Sequence, residues 1–218
     1  MVKKYTNKYY FSVEGETEKW YLEWLRDCIN ELDEPRYKVA IDCKVEKNPY
    51  RRAKKMTIAS KTEIWHLSDY ESNDEFHVQQ FMQTIDNLKK ASNIGKNIVY
   101  KFGYSNFTFD LWIILHKMDC NGPKTDRKQY INSINKAYNK QFLSMDDYKH
   151  HDHFKSCLKQ LSIDNVKKAI ERSKRSMESN QANGYQLQRY NGYSFYRENP
   201  SLMIWEIVEK ILKDCNLI

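Results

Sequence analysis

The chain has 218 residues, 40% hydrophobic and 14% aromatic, which is enough apolar area to bury the core of one domain with a helical appendage. Its 4 prolines and 6 glycines exclude a fibrous or low-complexity class, and no apolar run approaches the ~20 residues of a membrane span. Five scattered cysteines without a Cys-x-x-Cys pair support neither a disulfide framework nor a zinc knuckle. The N-terminal segment has lysines but no apolar stretch typical of a signal peptide, so we expect a cytoplasmic protein that makes no membrane contact.

The net charge of +7 is concentrated in the second half of the chain. Residues 1–100 hold 17 lysines and arginines against 16 acids, whereas residues 101–218 hold 19 against 13. This distribution suits a protein that brings a polyanion such as nucleic acid to an acidic, cation-binding site. An ordinary lysine-rich surface explains the same numbers, and charge alone favours that interpretation.

The predicted elements of the first half alternate between strand and helix. Strands are predicted at 9–13, 37–46, 63–68 and 97–102, and helices through 20–32, 49–60, 74–91 and 107–116. This order favours an α/β fold with a mainly parallel sheet flanked by helices.

After about residue 121 only helical patterns follow, at 130–138, 148–161, 164–178 and 201–215. Asn199 is the predicted N-cap of the last helix, with Pro200 at its first position. The sequence therefore predicts a catalytic core over residues 1–120 and a helical C-terminal region over residues 121–218 that packs on it.

Acidic side chains follow two of the predicted strands. Glu14 comes directly after the first strand, and Gly15 then leaves room for a ligand. Asp69 and Glu71 follow the third strand, and with one residue between them both can point the same way from an extended segment. Ligands of open α/β sheets bind beyond the carboxyl ends of the strands, and neighbouring strands lie ~4.8 Å apart. These three carboxylates can therefore share a hard cation such as Mg²⁺ or Mn²⁺.

Other roles are open for the same acids. Glu16 and Glu18 fall in the first turn of a predicted helix, where the helix dipole favours negative charge. For Glu18 that role outweighs a catalytic one. Asp69 and Glu71 are equally explained as loop acids that cap the helix predicted to begin near Asp74.

Asp110 lies on a predicted helix that is apolar almost all round. A carboxylate in such surroundings costs free energy unless it is paired or coordinated, so Asp110 is a candidate for orienting a metal ligand or a basic residue. The alternatives are that Asp110 faces solvent or that it forms a hydrogen bond near the helix start. His116 closes the helix, and we assign it a structural role at the C-terminal dipole.

Basic residues in three places are candidate contacts to nucleic acid. They lie on the second predicted helix, on a later helix at i, i+4 and i+7, and among the aromatic residues of 184–199: Arg51 and Arg52; Lys168, Arg172 and Arg175; and Arg189. A solvated helix face explains the first two groups taken singly, and packing of an aromatic loop on the sheet explains the third. The histidine-containing segment 146–154 is interpreted as a polar turn in preference to a zinc site.

Several motifs resemble known patterns. VEGETE, which contains Glu14, and DYE, which contains Asp69 and Glu71, resemble the Toprim metal-binding pattern of a Glu after the first strand and an acid-x-acid pair after a later one. EGETE, together with YSNFTFDLWIILHK at 104–117 and NPSLMIWEIVEKIL at 199–212, resembles the RloB family of bacterial phage-defence proteins. Glu71 stands where that family usually has Asp, Asp110 where it more often has Glu, and Phe107 where it has proline.

The resemblance implies a Toprim-like sheet and a metal-dependent nuclease that hydrolyses phosphodiester bonds of RNA, such as tRNA, or of DNA in antiviral defence. Glu14, Asp69 and Glu71 would hold one or two Mg²⁺ or Mn²⁺ ions, with Glu18 and Asp110 completing the catalytic site. An ATPase partner encoded nearby is implied as well. The alternative is a non-catalytic module that binds nucleic acid or a partner protein, and the sequence is compatible with a homo-oligomer.

Overall fold

The computed structural model describes residues 4–218. Strands and helices alternate through the first half: β1 Thr6–Val13, α1 Glu16–Glu31, β2 Lys38–Val45, α2 Pro49–Lys55, β3 Thr62–Asp69, α3 Glu75–Ser92, β4 Ile98–Asn106 and α4 Asp110–Leu115. The second half begins with a 3₁₀ turn at Arg127–Gln129 and continues with α5 Tyr130–Tyr138, α6 Met145–Lys149, α7 His151–Leu158, α8 Ile163–Ala182, β5 Gln188–Tyr190, β6 Tyr193–Phe195, β7 Ser201–Leu202 and α9 Trp205–Asp214. Within these residues no helix has the length and apolar composition of a membrane span.

One five-stranded sheet has the order β2-β1-β3-β4-β7, and β5 and β6 form a separate hairpin. The first four strands are parallel, whereas β7 runs antiparallel to β4. Central strands of such a sheet are apolar on both faces because helices flank the sheet, and Phe11, Ile64 and Leu67 are accordingly almost fully buried. The predicted fold class, a mainly parallel sheet flanked by helices with a helical C-terminal extension, is confirmed.

The helix after β1 is placed by its own apolar stripe. Tyr21, Leu22, Leu25 and Ile29 share one face at the helical period and are fully buried. Only two residues separate β1 from α1, so the helix turns back over the sheet directly after the strand. Glu14 is consequently fixed at the carboxyl end of β1.

The predicted start of the helix around Asp110 is wrong. Ser105 and Asn106 do not cap a helix at Phe107, because they are the last residues of β4 and pair with β7. The helix begins at Asp110 instead. This carboxylate is therefore at the helix start and close to the end of a strand.

The last helix also begins later than predicted. It starts at Trp205, since Ser201 and Leu202 form β7, and the side chain of Asn199 bonds the backbone of Lys124 instead of capping a helix. The region after residue 121 is not purely helical, because it also contains the hairpin β5–β6. The predicted division into domains at residue 120 stays a prediction.

His116 lies directly after α4 and is fully buried. Burial lowers the pKa of this imidazole to about 3, so the ring is neutral at physiological pH. Nδ1 lies 2.8 Å from the carbonyl oxygen of Trp112 and Nε2 lies 3.1 Å from the Tyr21 hydroxyl. The predicted interaction of its charge with the helix dipole is wrong, and its contacts are hydrogen bonds within the core.

Candidate functional site

Three strand ends lie side by side at one edge of the sheet. Val13 of β1 pairs with Leu67 of β3, and Asp69 pairs with Ser105 of β4. Acids follow or end each of these strands, namely Glu14 after β1, Asp69 at the end of β3, and Asp110 shortly after β4. The parallel topology therefore gathers at one edge acids that are far apart in sequence.

Glu14 is half-buried and accepts one strong hydrogen bond, from Ser68 Oγ to its Oε1 at 2.6 Å. Burial raises the pKa of Glu14 to about 7, against the lowering effect of the Ser68 bond. The negative charges of Glu18 and Glu71 raise this pKa further, and Lys47 opposes them. The surroundings therefore disfavour the charged form of Glu14.

Glu18 is only 4% exposed, although it belongs to the first turn of α1. Thr17 Oγ1 donates to its Oε2 at 3.0 Å, and a Cβ at position 15 would lie 3.1 Å from the same oxygen. The missing side chain of Gly15 thus allows the Glu18 carboxylate to approach the strand end. Glu16, in contrast, pairs with Lys19 at 3.3 Å on the surface, as expected for a helix-start acid.

Glu18 and Asp69 affect each other electrostatically. Burial raises the pKa of both carboxyl groups, and the pKa of Asp69 lies well above its ordinary value. The charges of Glu18, Glu14 and Asp110 raise the pKa of Asp69 further. Glu18 therefore lies among the candidate site acids, although the sequence favoured a helix-start role for it over a catalytic one.

Asp110 is fully buried, which contradicts the solvent-facing alternative. Its Oδ2 accepts from Thr108 Oγ1 at 2.7 Å and lies 3.0 Å from Lys149 Nζ. Within residues 4–218, its buried Oδ1 has no hydrogen-bond partner. We call Glu14, Glu18, Asp69 and Asp110 the carboxylate cluster.

Lys149 is a site residue that the sequence did not reveal. It is the last residue of α6, in the segment that was notable for its histidines. Burial alone would lower the pKa of Lys149, but the negative charges of Asp110, Asp69 and Glu18 together raise it. Its ammonium group is thus a counter-charge that the second half of the chain contributes to the carboxylate cluster.

Glu71 does not extend β3. Its φ of 59° is left-handed, and its backbone N–H donates to the carbonyl of Phe107. The predicted extended segment is therefore wrong, although Asp69 and Glu71 both line the same cavity. The Glu71 Oε2 lies 3.0 Å from His77 Nε2 and 3.3 Å from Arg127, so basic groups already engage this carboxylate.

A cavity of about 430 Å³ opens beside these acids. Glu14, Asp69 and Glu71 line one side, and the side chains of α3 line the other. Lys47, on the loop between β2 and α2, contributes a positive charge. The opening gives a ligand access to the strand ends.

The side-chain donors at the strand ends decide whether the predicted Mg²⁺ or Mn²⁺ site fits. In the part of the chain that the structure describes, no three His, Cys, Asp or Glu side chains are arranged as a ready metal-binding group. The donor chemistry nevertheless fits a hard cation, since the carboxylate cluster offers only oxygen and, among residues 4–218, Asp110 Oδ1 has no hydrogen-bond partner. The raised pKa values of Glu14, Glu18 and Asp69 mark a place where added positive charge would be stabilising. The metal site stays a prediction.

Two of the basic residues proposed from sequence lie on α2 and differ in environment. Arg51 is exposed, whereas Arg52 is 8% exposed and pairs through its guanidinium with Asp42 on β2. Arg52 therefore has a structural partner, whereas the exposed Arg51 is accessible to a ligand.

The remaining basic candidates are distributed over α8 and the hairpin. Lys168 is exposed, whereas Arg172 and Arg175 both contact Asp119, at 3.7 and 3.1 Å. Arg189 is exposed on β5, whose hairpin packs on the sheet domain through buried aromatic residues such as Phe195. Among residues 4–218, none of the six basic candidates lines the cavity beside the carboxylate cluster. Their role in binding nucleic acid stays a prediction.

Comparison with known proteins gives one match. A family model described as RloB-like protein matches residues 9–211. This range contains the whole carboxylate cluster and Lys149. No curated protein and no solved structure matches the chain.

Proposed function

The chain belongs to the RloB-like protein family, and from this premise we propose that it is a Mg²⁺- or Mn²⁺-dependent nuclease that hydrolyses phosphodiester bonds of nucleic acid. The observation that carries the proposal is the carboxylate cluster, of which Glu14 and Asp69 lie at the ends of adjacent strands and line the cavity. We further propose that the activity serves antiviral defence and that an ATPase partner encoded nearby controls it, as the family resemblance implies.

In this proposal three acids share one role, and Asp110 and Lys149 have others. Glu14, Asp69 and Glu18 would hold the cation, which when bound supplies Lewis acidity toward a phosphate and lowers the pKa of water. Asp110 orients Lys149 through their 3.0 Å contact. The Lys149 ammonium places positive charge where the negative charge of a phosphate would otherwise be repelled by the carboxylates.

Cleavage assays with matched glutamate variants test the proposal. Purified protein is incubated with RNA and with DNA in Mg²⁺, in Mn²⁺ and in EDTA, alone and with the ATPase encoded beside it. We expect cleavage in the presence of a divalent ion and its loss in Glu14→Gln and Asp69→Asn. Glu16→Gln, an exposed acid of the same segment, is the control that keeps activity. The proposal fails if folded wild-type protein cleaves neither nucleic acid, or if Asp69→Asn cleaves as fast as wild type.

A second candidate, a non-catalytic binding module, is favoured by one observation. Lys149 already compensates part of the charge of the carboxylate cluster, so these acids can be stable without a metal. Titration with Mn²⁺ separates the two functions. A nuclease binds Mn²⁺ and loses that binding in Glu14→Gln and Asp69→Asn, whereas for the binding module Mn²⁺ binding is absent or unchanged.

A further inference from the structure

The cavity beside the carboxylate cluster has a wall of unusual composition. Phe76, Gln80, Gln83 and Asn87 of α3 line it at i, i+4, i+7 and i+11, which places them along one face of the helix. The stripe is about 16 Å long at the helical rise of ~1.5 Å per residue. None of the four carries a charge. We call this stripe the amide wall.

The amides of this wall are free to bind a ligand. Within residues 4–218, the side chains of Gln80, Gln83 and Asn87 make no hydrogen bond to the protein. An amide presents donors and an acceptor together, which is the pattern found on the edges of nucleic-acid bases. Phosphate, in contrast, is bound chiefly by lysine and arginine.

Phe76 adds an aromatic surface at one end of the wall. It is 63% exposed, and its ring contacts the His77 ring at a centroid distance of 5.3 Å. An exposed phenylalanine gains nothing from core packing, but its face suits stacking with an unpaired base. Aromatic residues also form the buried side of the cavity, where the rings of Tyr70 and Phe81 meet edge to face at 4.9 Å.

A lysine lies beside the wall at the point where a bound strand would approach the carboxylate cluster. Both acids of α3 are engaged by polar neighbours, since Glu75 accepts from Gln79 and Asp86 accepts from Tyr190. Lys47 lines the same cavity, and its charge acts on Glu14. A cation for the sugar-phosphate backbone therefore lies next to the proposed catalytic acids.

We propose that the amide wall binds the bases of an unpaired nucleic-acid strand, whose backbone passes Lys47 toward the carboxylate cluster. A duplex keeps its base faces stacked inside the double helix, so the exposed Phe76 ring can stack only on an unpaired base. The site therefore selects single strands or loops over continuous duplex. The placement of the backbone rests on the proposed nuclease function, whereas the binding of bases does not.

Fluorescence anisotropy in EDTA at low salt tests base binding without cleavage. Short unpaired RNA, short unpaired DNA and a blunt duplex of the same sequence are the labelled probes. We expect both unpaired probes to bind more tightly than the duplex, and Phe76→Ala to weaken their binding about tenfold through lost stacking. The RNA and DNA arms identify which sugar the site prefers.

Matched variants exclude a general loss of fold or charge. Phe76→Tyr keeps an aromatic face and should bind as wild type. Tyr5→Ala removes an aromatic side chain that is 82% exposed outside the cavity, and this control should also bind as wild type. Gln83→Ala should weaken binding several-fold, and the exposed Gln141→Ala should not. Equal affinity for duplex and unpaired probes, an unchanged Phe76→Ala, or wild-type protein that binds no probe would each overturn the proposal. If the protein binds the probes as expected but cleaves no nucleic acid, the proposed nuclease function is refuted and the base-binding proposal stands.

Discussion

Glu14 gives a pH dependence of stability whose sign follows from its burial. The pKa of this carboxyl rises from 4.5 to about 7 in the folded chain. Below pH 4.5 the Glu14 carboxyl is mainly protonated in both the folded and the unfolded chain. Between the two values the folded chain keeps a proton that the unfolded chain has lost, so the free energy of unfolding falls as pH rises. Above about 7 both states are charged and the whole penalty is present.

The interval from 4.5 to about 7, at about 1.36 kcal/mol per pKa unit, corresponds to about 3 kcal/mol. Glu14→Gln removes the charge and keeps an oxygen that accepts from Ser68. We expect this variant to be up to about 3 kcal/mol more stable than wild type at about pH 8.5 and nearly equal to it at about pH 4. Urea unfolding in EDTA at both pH values measures the difference.

A bound cation should reverse the effect of this substitution. Saturating Mg²⁺ or Mn²⁺ stabilises only a chain that binds it when folded, so the wild type should gain stability and Glu14→Gln should not. Equal stability of the two chains at high pH in EDTA would refute the conclusion that the surroundings of Glu14 disfavour its charged form. A divalent ion that stabilises neither chain would refute its role as a ligand.

Two further substitutions test ion pairs of the fold. Lys149→Met removes the partner of the buried Asp110, and because the lysine side chain is 36% exposed we expect a loss of about 2 kcal/mol, between the values for surface and buried pairs. Urea unfolding at neutral pH measures it, and a loss below about 0.5 kcal/mol would mean that the pair behaves as a surface pair. Arg52→Gln, at a residue that is 8% exposed and paired with Asp42, should lower the thermal midpoint by several degrees. Arg51→Gln, at its exposed neighbour, should not, so equal shifts would contradict a structural role for Arg52.

The main sheet was predictable because its elements carry their own local patterns. α1 contains an apolar repeat of helical period, whereas β1 and β3 contain short β-prone apolar runs. The observed bounds of all three lie within a few residues of the predicted ones. β7 has only two residues, and it is a strand because Ser105 and Asn106 of β4 pair with it. No periodicity exists over two residues, so sequence alone favoured a helix there.

The hairpin β5–β6 did carry a signal in the sequence, although the segment 184–199 was interpreted as an aromatic loop. Asn191 and Gly192 connect its strands with φ values of 49° and 90°. Asn-Gly between two β-prone runs is the sequence most typical of a two-residue hairpin turn, because both residues tolerate positive φ. The Asn191-Gly192 dipeptide therefore predicts a hairpin within the segment that was interpreted as a loop.

The acids of the site differ in how far sequence could place them. Glu14 and Asp69 follow from topology, since the ends of adjacent parallel strands must meet. Glu71 could not be placed, because its left-handed φ depends on a backbone bond to Phe107 that is distant in sequence. Glu18 shares its helical turn with Glu16, and only the packing of α1 decides which of the two is buried.

The second half of the chain takes part in the site through both charge and structure. Lys149 pairs with Asp110, Arg127 engages Glu71, and β7 pairs with the last residues of β4. A chain ending near residue 120 would keep every acid of the carboxylate cluster but lose both of these cations. Because unpaired buried carboxylates are strongly destabilising, the acids supplied by the first half depend on the helices of the second half for their stability at neutral pH. The helical region is therefore an integral part of the candidate site. Lys149 is one of the positive charges of the second half, and it lies directly beside the acids.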